Sequence, residues 1–110
     1  MKRGPKRASP RTQRRSAARA HERLVVERRR LAALEPGGSS ERPIAVASAA
    51  VIEVQALSQP CLACDESRQR LVEHRAEEIE GARLRVVDVR CAVCSASRRF
   101  FFEIVNAGAN

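Results

Sequence analysis

Tryptophan and tyrosine are absent from this sequence of 110 residues, and phenylalanine occurs only as the consecutive Phe100, Phe101 and Phe102. Aromatic packing can therefore come from one place in the chain. Long apolar runs are missing too. The least polar stretch, "IAVASAAVIEVQAL", is interrupted by Glu53 and Gln55 and is too short to span a bilayer. The basic start "MKRGPKRASPRTQRR" is not followed by an apolar segment with a small-residue cleavage site, so a soluble, cytoplasmic protein is the expectation. An Arg-rich, acid-poor start also suits an organellar transit peptide, but the charged helix expected behind it argues against that. No Ser, His and Asp constellation, glycine-rich phosphate loop or plausible pair of catalytic carboxylates is visible, which points away from an enzyme.

Charge is plentiful and unevenly placed. Residues 1–30 carry twelve Lys or Arg against Glu22 and Glu27, a net +10, whereas residues 31–110 carry nine Arg against eleven acidic groups, a net −2. The basic character belongs to an N-terminal arm. Such an arm suits a polyanionic partner, DNA or RNA first, with Lys2, Arg3, Lys6, Arg7, Arg11, Arg14, Arg15 and Arg19 as the candidate phosphate contacts.

Four segments follow from local signals. Residues 1–35 form a basic tail and helix: Ser9-Pro10 offers an N-cap and a first-turn proline, and no glycine or proline interrupts residues 11–35. Ala17, Ala20, Leu24, Leu31 and Leu34 make a narrow apolar stripe, interrupted by Arg28, of the kind that forms fully on a partner or in a dimer. Residues 36–43, with Pro36, Gly37 and Gly38, read as a flexible linker. Residues 44–59 are expected to contain a strand, because Ile52, Val54 and Ala56 alternate with Glu53, Gln55 and Leu57. Within residues 60–106, "RLVEHRAEEI" and "ARLRVVDVR" flank Glu80-Gly81 as a hairpin, and "RFFFEIV" supplies another strand. The hairpin register stays open at this stage, since Gly81 suits more than one turn type.

The four cysteines, Cys61, Cys64, Cys91 and Cys94, form C-x2-C-x26-C-x2-C, and no cysteine is left over. Two residues between thiolates permit a tight turn that aims both sulfurs at one ion, and a hairpin brings two such turns together. One structural Zn2+ held by all four is the reading that follows. Iron in the same ligand set, thiol redox chemistry and disulfides are the alternatives. A redox pair would need a CxxC at a helix N-terminus, and disulfides conflict with the missing export signal.

These residues resemble the zinc-ribbon family: knuckle "CLAC", a hairpin, knuckle "CAVC", and a returning strand "RRFFFEI". The resemblance covers residues 60–105 and implies a structural zinc in a module that serves nucleic-acid or protein contacts. Ribbon knuckles often place glycine after the second cysteine, where this chain has Asp65 and Ser95, so somewhat altered knuckles are expected.

The resulting expectation is an α+β protein, a small antiparallel β zinc ribbon preceded by a basic, partly disordered N-terminal helix. Phe100 and Phe102 should share one face of their strand with Phe101 on the other, and His74 should be a surface residue. Two functions compete: nucleic-acid association through the arm, or a protein adaptor in which the ribbon docks a partner protein and the arm is a tether. Residues 61–103 carry eight Arg and eight acidic groups, so the ribbon itself looks a poor electrostatic match for phosphate.

Overall fold

The structure, a computed structural model, describes residues 8–105. It contains helix α1 (Pro10–Leu34), strand β1 (Ile44–Val46), a single 3-10 turn (Ala49–Val51) that runs into helix α2 (Ile52–Leu57), and strands β2 (Gln69–Ile79), β3 (Ala82–Cys91) and β4 (Ser97–Ile104). The four strands form one sheet in the order β1-β4-β3-β2. Its hairpins are antiparallel, while β1 adds to β4 in parallel, with Ile44 opposite Phe102. The chain is thus α+β, a long helix with a mostly antiparallel sheet.

The β2–β3 register follows from its turn. Ile79 pairs with Ala82, and the two residues between them, Glu80 and Gly81, both have positive φ, 49° and 81°. That is the signature of a two-residue type I′ turn, whose twist matches the strands it joins. A bulge between Leu71 and Glu73 shifts the alternation of β2 on the way to the knuckles.

One face of the sheet carries the main core, in which Val87 and Val89 of β3 lie beside Phe100 and Phe102 of β4. The two rings sit with centroids 6.4 Å apart. Val46, Ile52 and Ala56 close over them. Here the expected strand at residues 52–56 gives way to a helix. The same apolar positions satisfy both readings, but the structure buries Ile52 and Ala56, one helical turn apart, and leaves Val54 70% exposed. Glu53 in the first turn is also favourable against the helix dipole. Leu84 and Val86 point to the opposite face, which Phe101 shares.

α1 begins as its sequence dictates, with the Thr12 amide donating to Ser9 Oγ and Pro10 in the first turn. Its docking face is not the leucine stripe. Ala32 is the buried residue of α1, whereas Leu24, Leu31 and Leu34 face solvent. Residues 36–43 form a hydrogen-bonded turn: the Phe101 amide donates to the Gly37 carbonyl, and the Gly38 amide donates to that of Glu35. Gly38 lies so close to the Ala32 carbonyl that a Cβ there would sit 1.9 Å from its oxygen. No helix among the described residues is long and apolar enough to cross a membrane.

Candidate metal centre

Each CxxC pair lies on a tight turn at the same end of the sheet, one before β2 and one that starts at Cys91, the last residue of β3. The two turns repeat each other atom for atom. In the first, the Cys61 amide donates to the Glu66 carbonyl and the Asp65 amide to that of Cys61, both at 2.9 Å. In the second, the Cys91 amide donates to the Ala96 carbonyl at 2.9 Å and the Ser95 amide to that of Cys91 at 3.0 Å. The Ala63 amide points at Cys61 Sγ and the Val93 amide at Cys91 Sγ, each at 3.4 Å. Asp65 and Ser95 both take the left-handed conformation, with φ 64° and 66°. The expected alteration of the knuckles does not occur, since Ser95 adopts the glycine-favoured geometry despite its Cβ.

The four sulfurs converge, all lying within 4.8 Å of one another. Cys61 Sγ is 3.5 Å from Cys94 Sγ, and Cys64 Sγ is 3.6 Å from Cys91 Sγ. A tetrahedral ion with bonds of about 2.3 Å requires sulfurs about 3.8 Å apart, so the cluster has the dimensions of a four-thiolate site. Cys61 and Cys91 are buried and Cys94 is exposed, which places the cluster at the surface of the sheet's end.

Cys64, Cys91 and Cys94 are each shifted from the ordinary thiol value. Amide donation from Cys94, helped by Val93 and the neighbouring sulfurs, lowers Cys91 to about 7 against the opposing effect of burial. Cys64 is pushed up to about 12: the hydrogen bond from the Glu66 backbone pulls it down, but burial and the sulfurs of Cys91, Cys94 and Cys61 together outweigh it. Cys94 is likewise raised, the lowering effect of the Ala96 amide being exceeded by Cys61 and burial. A metal entering this cluster displaces protons, so its affinity falls as the solution is acidified.

α1 reaches the centre from one side. Arg28 pairs with Asp65 at 3.0 Å and donates to the Leu62 carbonyl at 3.3 Å, both within the first knuckle. Arg29 donates to the Ser97 carbonyl at 3.1 Å, at the start of β4. Arg28 is thus the residue that ties α1 to the knuckle as well as an interruption of its apolar stripe. No periodicity in the sequence signals this docking, because it uses guanidinium reach instead of an apolar seam.

The other predicted sites are more scattered. Arg11, Arg14, Arg15 and Arg19 lie exposed on the N-terminal half of α1, while Lys2, Arg3, Lys6 and Arg7 fall outside the described residues. His74 departs from its expected surface position. Its side chain is only 14% exposed, with Nδ1 3.4 Å from Glu53 Oε1 of α2 and Nε2 3.5 Å from Arg85 Nη1.

Comparison with protein-family models, with curated proteins and with solved structures gives no match to this chain in any of the three. The four-cysteine cluster, arranged as CxxC…CxxC and able to hold a metal ion, is what the chain shares with zinc ribbons.

Proposed function

We propose that the protein is a non-enzymatic binding module in which Cys61, Cys64, Cys91 and Cys94 hold one structural Zn2+ and the basic helix associates with nucleic acid. The observation that supports zinc is the closed set of four sulfurs at tetrahedral spacing, with both knuckles aiming amides at their first cysteine. Four thiolates leave no open coordination position, which suits structural over catalytic metal. Zinc also supplies what a sheet with so small a core lacks, since binding contributes about 10–16 kcal/mol in comparable small sites.

Nucleic-acid association is supported by α1 itself. Pro10–Leu34 carries eight Arg against Glu22 and Glu27, and residues 10–24 are exposed throughout. Counter-ion release from phosphates would make its binding steeply salt-dependent. Zinc-loaded protein is therefore titrated into a labelled oligonucleotide over a salt series, beside a variant with Arg11, Arg14, Arg15 and Arg19 changed to Gln. A steep slope that collapses in the variant is the expected result; no binding at low salt would sink the reading. The exposed Leu24, Leu31 and Leu34 favour the second reading, an adaptor for a partner protein, in that case.

A further inference from the structure

Between the C-terminal half of α1 and the knuckle end of the sheet lies an open groove of about 520 Å³. Its charged lining is Arg29 from α1, Arg90 and Asp88 from β3, and Arg99 from β4, an excess of two positive charges, while the side chain of Arg98 alternates onto the other face, against Phe100. Its apolar lining comes from alanine, leucine and valine side chains. The single carboxylate is already spoken for: Asp88 pairs with Arg99 at 2.7 Å and with Arg75 at 3.0 Å. Arg29 and Arg90 have no carboxylate within 4.0 Å among the described residues.

Their donors are largely unspent. Arg29 gives one hydrogen bond to the Ser97 carbonyl, and Arg90 gives none from its side chain among the described residues. A guanidinium has five N–H donors in a fixed fork that matches two oxygens of a phosphate. Arg90 is exposed and its side chain shares the face of Asp88 and Arg99.

The near-balance of charge along the ribbon sequence conceals a separation in space. Glu73, Glu77, Glu78 and Glu80 belong to the hairpin arm and its turn, and none of them lines the groove. Arg11 lies about five turns before Arg29 on the same line of α1, with Arg15 close to that line and Glu22 the acid near it. Arg11 and Arg15 at one end of this line and Arg29 at the other are about 27 Å apart from first to last, with Glu22 between them.

We propose that this groove is a phosphate-binding site, taking the phosphodiester oxygens of a strand that continues along α1. The identity of the polymer rests on the nucleic-acid reading above; the oxyanion chemistry of the groove rests on its own residues. The test uses the zinc-loaded full chain, the paired substitution Arg29→Gln and Arg90→Gln in the groove, and Arg11→Gln with Arg15→Gln on the helix. Arg29 and Arg90 are exposed, and although Arg29→Gln removes the bond to the Ser97 carbonyl, Arg28 still holds α1 to the first knuckle; an unchanged cobalt(II)–thiolate spectrum verifies the knuckles, and unchanged amide shifts at residues 28–35 verify the docking of α1. Oligonucleotide binding by the groove variant should lose about 1.4–1.8 from its log–log salt slope, two phosphate contacts' worth.

A groove variant that binds like the parent, while the helix variant weakens, overturns the groove and leaves the helix reading standing. If the parent binds no oligonucleotide at low salt, the polymer reading falls and inorganic pyrophosphate becomes the probe. Amide shifts at residues 97–99 that disappear in the groove variant would then support a site for free phosphate compounds. No shifts would overturn the site altogether.

Discussion

Asp65 and Ser95 occupy the same position in the two knuckles, and their φ angles, 64° and 66°, differ by 2°. Both amides donate to the carbonyl of the cysteine that opens their turn. A side chain with a Cβ is held there at a cost of about 1–2 kcal/mol relative to the right-handed regions, which glycine avoids at some expense in unfolded-chain entropy. Ser95→Gly should therefore stabilise the zinc-loaded protein by about 0.5–1 kcal/mol. Asp65→Gly should gain less, because it also removes the ion pair with Arg28. Denaturant melts of the two variants check the order.

Why could the knuckles be read from sequence while the segment before them could not? Cysteine spacing constrains a metal site almost by itself, since two residues between sulfurs leave few turns that converge on one point. The Ser9-Pro10 start of α1 was equally legible, because capping is local. At residues 52–56, Ile52, Val54 and Ala56 fit a strand by twos, and Ile52 with Ala56 fit a helix by fours. Only the neighbours decide, here the Phe100 and Phe102 face waiting to be covered. The docking of α1 was least legible, since Arg28 and Arg29 meet partners far along the chain.

That competition at α2 gives a direct measurement. Ile52→Ala removes a fully buried side chain from the cluster with Phe100 and Phe102 and should cost about 2–5 kcal/mol. Val54→Ala should be within about 0.5 kcal/mol of the parent, as expected of an exposed site. Equal losses at the two positions would mean that the segment packs as a strand.

Asp88 provides a test in pH. Hydrogen bonding from Arg99, aided by Arg75, holds its carboxyl below the ordinary value against the effect of burial. Its stabilisation is accordingly complete above the unfolded pKa of about 3.9 and is lost as pH falls through the lower folded value. Asp88→Asn should cost about 1–2 kcal/mol, by loss of charge-assisted hydrogen bonds. Melts of the zinc-loaded proteins should show that deficit unchanged between neutral and mildly acidic pH. A deficit that shrinks over this range would show that Asp88 is already protonated there.

Removal of metal should act on the whole sheet. β2 begins and β3 ends at the knuckles, where Gln69 pairs with Cys91, so a strong chelator should abolish amide dispersion across residues 61–105. Cys94→Ser should produce the same state at ordinary metal concentrations, although Cys94 is exposed and contributes little to packing. An intact sheet in the chelated protein would assign its stability to the Phe100 and Phe102 cluster.

The bond between Phe101 and the Gly37 carbonyl also has a consequence in time. The turn that leaves α1 closes on local hydrogen bonds, but its one bond to the sheet waits for Phe101 of β4, made 64 residues after Gly37. At about 5–20 residues per second, that interval is roughly 3–13 s. For most of it α1 has neither Asp65 fixed in a finished knuckle nor the Ser97 carbonyl to grip. During synthesis the arginine-rich segment emerges before the sheet and acquires its direction after it.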